Sequence, residues 1–203
     1  MKKDINTQEH ILFCSFQLFL NKNYRDVTIA DIEKEIGMSR GAIFYYYKNK
    51  NELFNAVIDK YIIDKQSTEK IIDKTDINSL KSFIEAYVQG IKKSMDIIRK
   101  AKVKNILRCY FNLIYNAIDQ YPGFAENSSS IIFIEQKTWQ DYIKLGIKNG
   151  EIKSGTDNKK AAIIFQSIFY GLSYISSMSA KQEVLELNVL QASFFDYYDK
   201  IKK

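Results

Sequence analysis

Apolar side chains recur every three or four residues along almost the whole chain, which is the period of an α-helix. The C-terminal segment shows this most clearly, with Leu187, Leu190, Phe194, Tyr198 and Ile201 at intervals of three, four, four and three. The same spacing predicts helices over about 5–21, 79–99, 100–120, 129–149, 157–179 and 184–201. Residues 121–130 are predicted to form a turn and loop. We find no convincing strand alternation and no internal repeat, so the pattern predicts an all-α protein.

The segment 28–48 differs, because its predicted helices are short and lie on either side of a tight turn. Thr28 and Asp31 have the spacing of a capping box, in which each side chain bonds a backbone N–H of the other residue. Gly37 stands where this first helix must end, since glycine enters the left-handed conformation without steric cost. Ser39 is a suitable N-cap for a second helix two residues later. Two short helices in this arrangement predict a helix-turn-helix, whose second helix enters the DNA major groove.

The sequence letters of this region are YRDVTIADI at residues 24–32 and IGMSRGAIFYYYKNKNELF at residues 36–54. They resemble the TetR family of transcriptional regulators, in which an aromatic-rich recognition helix precedes a Lys-x-Lys and a Glu-Leu-Phe-like start of the fourth helix. The resemblance implies an N-terminal three-helix DNA-binding domain, residues 1–50, with the helix-turn-helix. It also implies a C-terminal helical bundle, residues 51–203, for effector binding and dimerisation.

Five positions depart from the family pattern. Asn23 replaces a usual glycine, and asparagine can also adopt a left-handed turn. Glu33 stands where a small residue is usual, so we expect it near the surface or beside a polar partner. Phe44, Tyr45 and Tyr46 occupy positions where His or Trp is frequent, so the base preference of relatives does not transfer to this chain.

The resemblance implies a DNA contact for each exposed position of the recognition helix. Arg40 is the expected base reader, because a guanidinium can bond guanine O6 and N7 together. Gly41 and Ala42 allow close approach, and Phe44 can pack against thymine methyl groups. The hydroxyl and ammonium groups around them are expected to contact DNA phosphates. The implied DNA-binding residues are Thr28, Ser39, Arg40, Gly41, Ala42, Phe44, Tyr45, Tyr46, Lys48 and Lys50.

The C-terminal bundle is expected to form the dimer and to hold a small-molecule effector. The last two helices, about 157–179 and 184–201, have apolar stripes wider than one core face needs, and small residues allow close helix approach. We therefore expect a homodimer through these helices. The small residues are Gly171, Ser173, Ser176 and Ser177. Candidate pocket residues, each also an ordinary core residue by its pattern, are Phe83, Tyr87, Tyr110, Phe111, Tyr115, Trp139, Tyr142, Phe165 and Tyr170.

Composition restricts the alternatives. Cys14 and Cys109 are far apart and form no Cys-x-x-Cys pair, which is typical of a reduced, cytoplasmic protein. His10 is the only histidine, which argues against a His-based metal centre or a Ser-His-Asp triad. No cofactor is indicated, and no apolar run approaches the roughly 20 residues of a membrane span. An all-α enzyme therefore lacks support, whereas an interaction module that has lost DNA binding stays the alternative to a DNA-binding repressor released by its effector.

The net charge of +6 does not by itself reveal the DNA-binding helix. Residues 1–50 contain eight basic and six acidic side chains, whereas residues 92–108 contain seven basic side chains and only Asp96 as an acid. This basic cluster is interpreted as a solvated helix end and turn. The alternative is that it faces DNA from the base of the larger domain and adds long-range attraction.

Overall fold

A computed structural model describes residues 2–64, 72, 77–179 and 185–203, with side chains from residue 6 onward. These residues form nine α-helices and, in place of a sheet, a single bridge between Ile152 and Lys202. The all-α prediction is confirmed. The helices are α1 (Lys2–Asn21), α2 (Ile29–Ile36), α3 (Arg40–Tyr46), α4 (Lys50–Ile58), α5 (Leu80–Arg99), α6 (Ile106–Gln120), α7 (Phe124–Lys148), α8 (Asn158–Met178) and α9 (Leu187–Ile201). A 3₁₀ turn (Tyr24–Asp26) precedes α2, and a π-helical turn (Asp59–Ile63) continues α4.

Two predicted helix starts are wrong. Helix α7 begins at Phe124, so residues 126–130, predicted as a loop, are helical. Gly123 turns the chain at φ 79°, and the fully buried Phe124 fixes the first turn in the core, which overrides the weak helix preference of the serines that follow. Helix α6 begins at Ile106 rather than near residue 100, because Lys102 and Asn105 have left-handed backbone angles that interrupt a helix. The predicted start of the last helix, residue 184, lies outside the described residues.

The helices enclose two hydrophobic cores. The first lies among α1–α4 and also takes in Leu113 and Ala117 of α6 and Phe124 of α7. The second lies among α5, α7, α8 and α9, around the fully buried Trp139. Helix α4 packs into the first core through Leu53, Phe54, Val57 and Ile58. We call α1–α4 the reading head and α5–α9 the bundle; the division after residue 50 stays a prediction.

Helix α6 joins the bundle to the reading head. Asn116 Oδ1 accepts the backbone N–H of Tyr24 at 3.0 Å, and Asn112 Nδ2 donates to Asn23 Oδ1 at 2.9 Å. Tyr121, just after the helix, donates its hydroxyl to Asp59 Oδ1 at 2.8 Å. Because these bonds extend along α6, a displacement of this helix has to move the reading head or break them.

The other end of α6 is tied to α8. Arg108 donates from Nε to the carbonyl of Ser177 at 3.0 Å and from Nη2 to the carbonyl of Ser179 at 2.7 Å. Asn105 Nδ2 donates to the same Ser179 carbonyl at 2.9 Å. Helix α8 is long and apolar enough to qualify as a membrane span by length and composition alone. However, it packs against α6, α7 and α9 within the fold, as a core helix does.

Gly146 marks the closest approach between α7 and the turn that follows it. A Cβ at this position would lie 2.7 Å from Cγ1 of the buried Ile152 and 3.1 Å from Oε2 of Glu151. That carboxylate accepts the backbone N–H groups of Leu80 and Lys81 at 2.9 Å each, so it cannot move without uncapping α5.

We expect Gly146→Ala to lower the free energy of unfolding by about 1–3 kcal/mol, although alanine is normally the better helix former. Chemical denaturation followed by circular dichroism measures this change. Gly41→Ala is the matched control, since nothing lies within 4 Å of the added Cβ, and it should be at least as stable as the wild type. A Gly146→Ala protein of unchanged stability would contradict the prediction.

Candidate nucleic-acid interface

The two short helices are positioned by local hydrogen bonds. The Thr28 side chain accepts the N–H of Asp31 at 3.1 Å, and Asp31 Oδ2 accepts the N–H of Thr28 at 2.9 Å, so the predicted capping box is confirmed. Gly37 ends α2 in the left-handed conformation at φ 72°, also as predicted. Asn23, however, is extended at φ −61° and ψ 147°, so it does not use the left-handed conformation that asparagine allows. The next residues form the 3₁₀ turn instead.

Glu33 supplies a contact that fixes α3 against α2. Its Oε1 accepts the backbone N–H of Arg40, the first residue of α3, at 2.6 Å. The expected polar partner of this unusual glutamate is therefore the unpaired N-terminus of the recognition helix, where a negative charge is favourable. Ser39 accepts the N–H of Ala42 at 3.4 Å and caps the same end. The first turn of α3 is thus held by side chains from both sides.

Helix α3 has a buried face and an exposed face. Ile43 and Tyr47 are buried in the first core, as the i, i+4 spacing predicts. Tyr45 is 85 % exposed, and its ring meets the half-buried Tyr46 edge-on. The Arg40 guanidinium is exposed and lies 5.8 Å from the centre of the Phe44 ring. Arg40 and Tyr45 therefore have the reach that a groove contact needs.

An open, shallow pocket of about 400 Å³ lies beside this face, between the recognition helix and the start of α4. Its lining mixes cationic side chains with an aromatic ring and a glycine without a side chain, which suits a phosphate and sugar backbone. The lining residues are Ile29, Arg40, Gly41, Phe44, Lys48, Asn49 and Lys50.

Two residues that were expected to contact DNA phosphates have other hydrogen-bond partners in the structure. Lys50 Nζ donates to the carbonyls of Tyr24 and Val27 at 2.9 and 2.8 Å and lies 4.2 Å from the centre of the Tyr24 ring. Loss of water around this ammonium lowers the pKa of Lys50. The Thr28 hydroxyl donates its one proton to Asp31 Oδ2 at 2.8 Å. Lys50 therefore closes the loop before α2, whereas Lys48 is exposed.

Of the nine aromatic residues considered for an effector pocket, five share the second core. Tyr115 is 60 % exposed on α6, and Tyr110 packs against the first core. Trp139 stacks on Phe165 with ring centres 4.6 Å apart, and Phe83 meets it edge-on at 4.7 Å. The rings that share the second core with Trp139 are Phe83, Tyr87, Tyr142 and Phe165. Phe83, Tyr87 and Phe165 are fully buried and Tyr142 is half-buried, and a role of these rings in effector binding stays a prediction.

Sequence reasoning missed Glu135, which is only 5 % exposed in α7. Its carboxylate accepts the hydroxyls of Tyr87 and Tyr170 and the side-chain amide of Gln166. A signal was present, because residue 135 precedes Trp139 and Ile143 at intervals of four and therefore lies on the apolar face of the helix.

Comparisons with known proteins agree with this geometry. Residues 11–57, which extend from α1 into α4, match the model of the family "Bacterial regulatory proteins, tetR family". The chain is 25 % identical to YvkB of Bacillus subtilis, described as an uncharacterized HTH-type transcriptional regulator, over 81 % of this chain and 80 % of YvkB.

Two solved structures share the fold. The structure of MexZ from Pseudomonas aeruginosa, described as a key repressor responsible for antibiotic resistance, has a TM-score of 0.72 at 19 % identity and covers 98 % of this chain and 96 % of MexZ. That of SmeT in complex with triclosan has a TM-score of 0.67 at 17 % identity and covers 98 % of this chain and 92 % of SmeT. With the capped helix-turn-helix, the family match over residues 11–57 and the similarity to YvkB support a DNA-binding transcriptional regulator of the TetR family.

Proposed function

We propose that the protein is a cytoplasmic repressor that binds operator DNA as a homodimer and is released when a small-molecule effector binds the bundle. The observation that carries this proposal is the hydrogen-bonded path through α6. One end of this helix is bonded to α8 by Arg108, and the other end is bonded to the reading head by Asn112 and Asn116. A change of shape in the bundle therefore acts directly on the position of the reading head.

The DNA contacts of the proposal follow from the exposed face of α3. Arg40 reads a guanine from the major groove, and Phe44 packs beside it against thymine methyl groups or sugar. Tyr45, Ser39 and Lys48 bond phosphates around this contact. Gly41 and Ala42 allow the helix to approach the bases. Lys50, Thr28 and the half-buried Tyr46 stabilise the loop and the helix that present these groups.

The homodimer of the proposal forms through α8 and α9, close to the expected segments 157–179 and 184–201. One face of α8 leaves large apolar side chains in solvent, with Ile175 and Met178 each 66 % exposed. Others on this helix are Ile163, Ile164 and Tyr174, and Val189 lies on α9. Ser173 and Ser177 are buried within the protomer, so they bring α8 close to its own bundle, whereas Gly171 and Ser176 are half-exposed. A partner covering this face would remove a large apolar patch from water.

Two reading heads in one dimer must keep the separation of two half-sites, about 34–36 Å or a multiple of it. An effector that binds one bundle shape better than another changes this separation through α6. The coupling free energy equals the difference in the binding free energy of the effector between the two shapes, typically about 1–3 kcal/mol. By linkage, operator DNA weakens effector binding by the same factor as the effector weakens operator binding.

Binding to the DNA upstream of the protein's own gene tests the proposal. We expect specific binding whose affinity falls by at least about tenfold between about 50 and about 200 mM salt, because phosphate contacts release counterions. Fluorescence anisotropy with a labelled duplex measures it, and a shuffled duplex of equal length is the control. A folded dimer without salt-sensitive binding would instead support the interaction module that has lost DNA binding.

A further inference from the structure

Glu135 is the only charged side chain that is buried among the residues that the structure describes. Its Oε1 accepts the Tyr87 hydroxyl, and its Oε2 accepts the Tyr170 hydroxyl at 2.7 Å and the Gln166 amide at 3.3 Å. Gln166 is itself fixed by a bond from its Nε2 to the Ile132 carbonyl at 3.2 Å. Helices α5, α7 and α8 therefore converge on one carboxylate.

All three groups that bond Glu135 are neutral. Burial and the neighbouring carboxylate raise the pKa of both Tyr87 and Tyr170, so the two phenols stay protonated and donate. No Lys, Arg or His forms an ion pair with Glu135 in the described part of the chain. Hydrogen bonds hold a buried carboxylate in place, but only an opposite charge cancels its field in the interior. The site thus has an unbalanced negative charge.

The surroundings of Glu135 suit the apolar part of a cation. The Tyr87 ring lies 5.0 Å from that of Trp139 and 5.8 Å from that of Phe169, and aromatic faces attract cations. Two further buried polar atoms, Trp139 Nε1 and Ser173 Oγ, have no hydrogen-bond partner among the described residues. They belong to residues one helical turn beyond Glu135 and Tyr170. The neighbourhood therefore has unused polar atoms as well as an unpaired charge.

Tyr170 connects this carboxylate to the surface. It bonds Glu135 through its hydroxyl although 37 % of the residue is exposed, so rotation of one side chain would open Glu135 to solvent. We propose that Glu135 is the anchor of the effector site and that its ligand is a lipophilic organic cation, which replaces the Tyr170 hydroxyl at the carboxylate. This inference rests on the proposed function, because it names the chemical class of the effector.

Methyltriphenylphosphonium and the neutral triphenylphosphine oxide test the proposal, since they have similar shapes and differ in charge. Trp139 is the only tryptophan of the chain, and its contact with Tyr87 makes its fluorescence a direct reporter. In titrations of the full-length wild type, we expect the cation to bind at least tenfold more tightly than the neutral compound. Equal affinities, or no binding of the cation at millimolar concentration, would overturn the proposal.

Variants separate the charge of Glu135 from its packing. Glu135→Gln should weaken cation binding at least tenfold and change the affinity for the neutral compound less than twofold. Glu126→Gln removes an exposed carboxylate from the same helix and should change neither. Unchanged cation binding by a folded Glu135→Gln protein would overturn the proposal.

Tyr170→Phe removes one hydrogen-bond donor and leaves the charge of Glu135, so this variant should bind the cation more tightly. Weaker binding would count against the displacement of this hydroxyl.

Operator binding measured on the same wild-type preparation keeps the two proposals apart. Salt-sensitive operator binding without cation binding would overturn only the role of Glu135. Charge-selective binding of the cation without any operator binding would support the Glu135 site and contradict the repressor. Release of the operator by the cation from the wild type, but not from Glu135→Gln, is the result expected when both hold.

Discussion

Ile175→Asp is expected to convert the dimer into monomers at micromolar concentration and to reduce operator affinity by about 10²–10⁴-fold. Ile175 is 66 % exposed in the protomer, so the substitution should leave the fold of a single chain intact. In the proposed dimer the same position is covered, and an unpaired carboxylate buried against apolar side chains is costly. Two-fold symmetry places this cost on both protomers at once. The loss of affinity follows because one reading head then binds without its partner.

Sedimentation velocity measures the oligomeric state, and anisotropy on the same samples measures operator binding. Ile118→Asp is the matched control, because Ile118 is also a largely exposed isoleucine but lies on α6, outside the proposed interface. The control should stay dimeric and bind DNA as the wild type does. A dimeric Ile175→Asp protein with full operator affinity would show that this face of α8 is not the interface.

Arg40→Ala is expected to weaken binding to the specific operator by about 1–3 kcal/mol, or roughly five- to 150-fold, and to relax the preference at one base pair. Arg40 is exposed at the start of α3, and the contact of Glu33 with its backbone N–H fixes the point from which its side chain extends. The substitution removes the guanidinium but keeps this backbone contact, so the helix stays in position.

Operators that differ at single base pairs, measured with wild type and variant, reveal which preference is lost. Lys48→Ala is the comparison, because an exposed ammonium on a phosphate contributes to binding of every sequence alike. Lys48→Ala should reduce the affinity for all duplexes by a similar factor. It should also lower the slope of log affinity against log salt concentration by about one. If Arg40→Ala reduced the affinity for all operator sequences equally, Arg40 would contact a phosphate, and the residue that reads the base would lie elsewhere on α3.

The basic side chains of residues 92–108 have different environments in the structure. The turn between α5 and α6 that carries part of this basic cluster touches the reading head, because Gln17 Nε2 donates to the Ala101 carbonyl at 3.2 Å. One member, Arg108, donates hydrogen bonds to carbonyls at the end of α8 and therefore stabilises the packing of α6 against α8. Lys100, Lys102 and Lys104 are exposed. A role of these lysines in attracting DNA stays a prediction, which their joint replacement and the salt slope would test.

The reading head could be predicted from the sequence in detail because its determinants are local. The Thr28 capping box, the left-handed Gly37, the Ser39 cap and the buried pair Ile43 and Tyr47 each depend on residues no more than four positions apart. A hydrogen bond over one helical turn is present in any fold that keeps the helix. Caps and spacing therefore determined the helix-turn-helix and the bounds of its helices, and the sequence letters of residues 24–54 supplied the resemblance to the family.

The tertiary structure alone decided which charged groups are available and which are already engaged. Lys50 looks like a phosphate ligand in the motif, yet two carbonyls more than twenty residues away hold it. Glu135 lies on the apolar face of its helix by spacing, yet its hydrogen-bond partners come from α5 and α8, 31 to 48 positions away. Such partners meet only when separate helices pack, and no local rule encodes their distance. The sequence by itself determined how this protein presents a helix to DNA, whereas packing decided where its bundle buries a carboxylate.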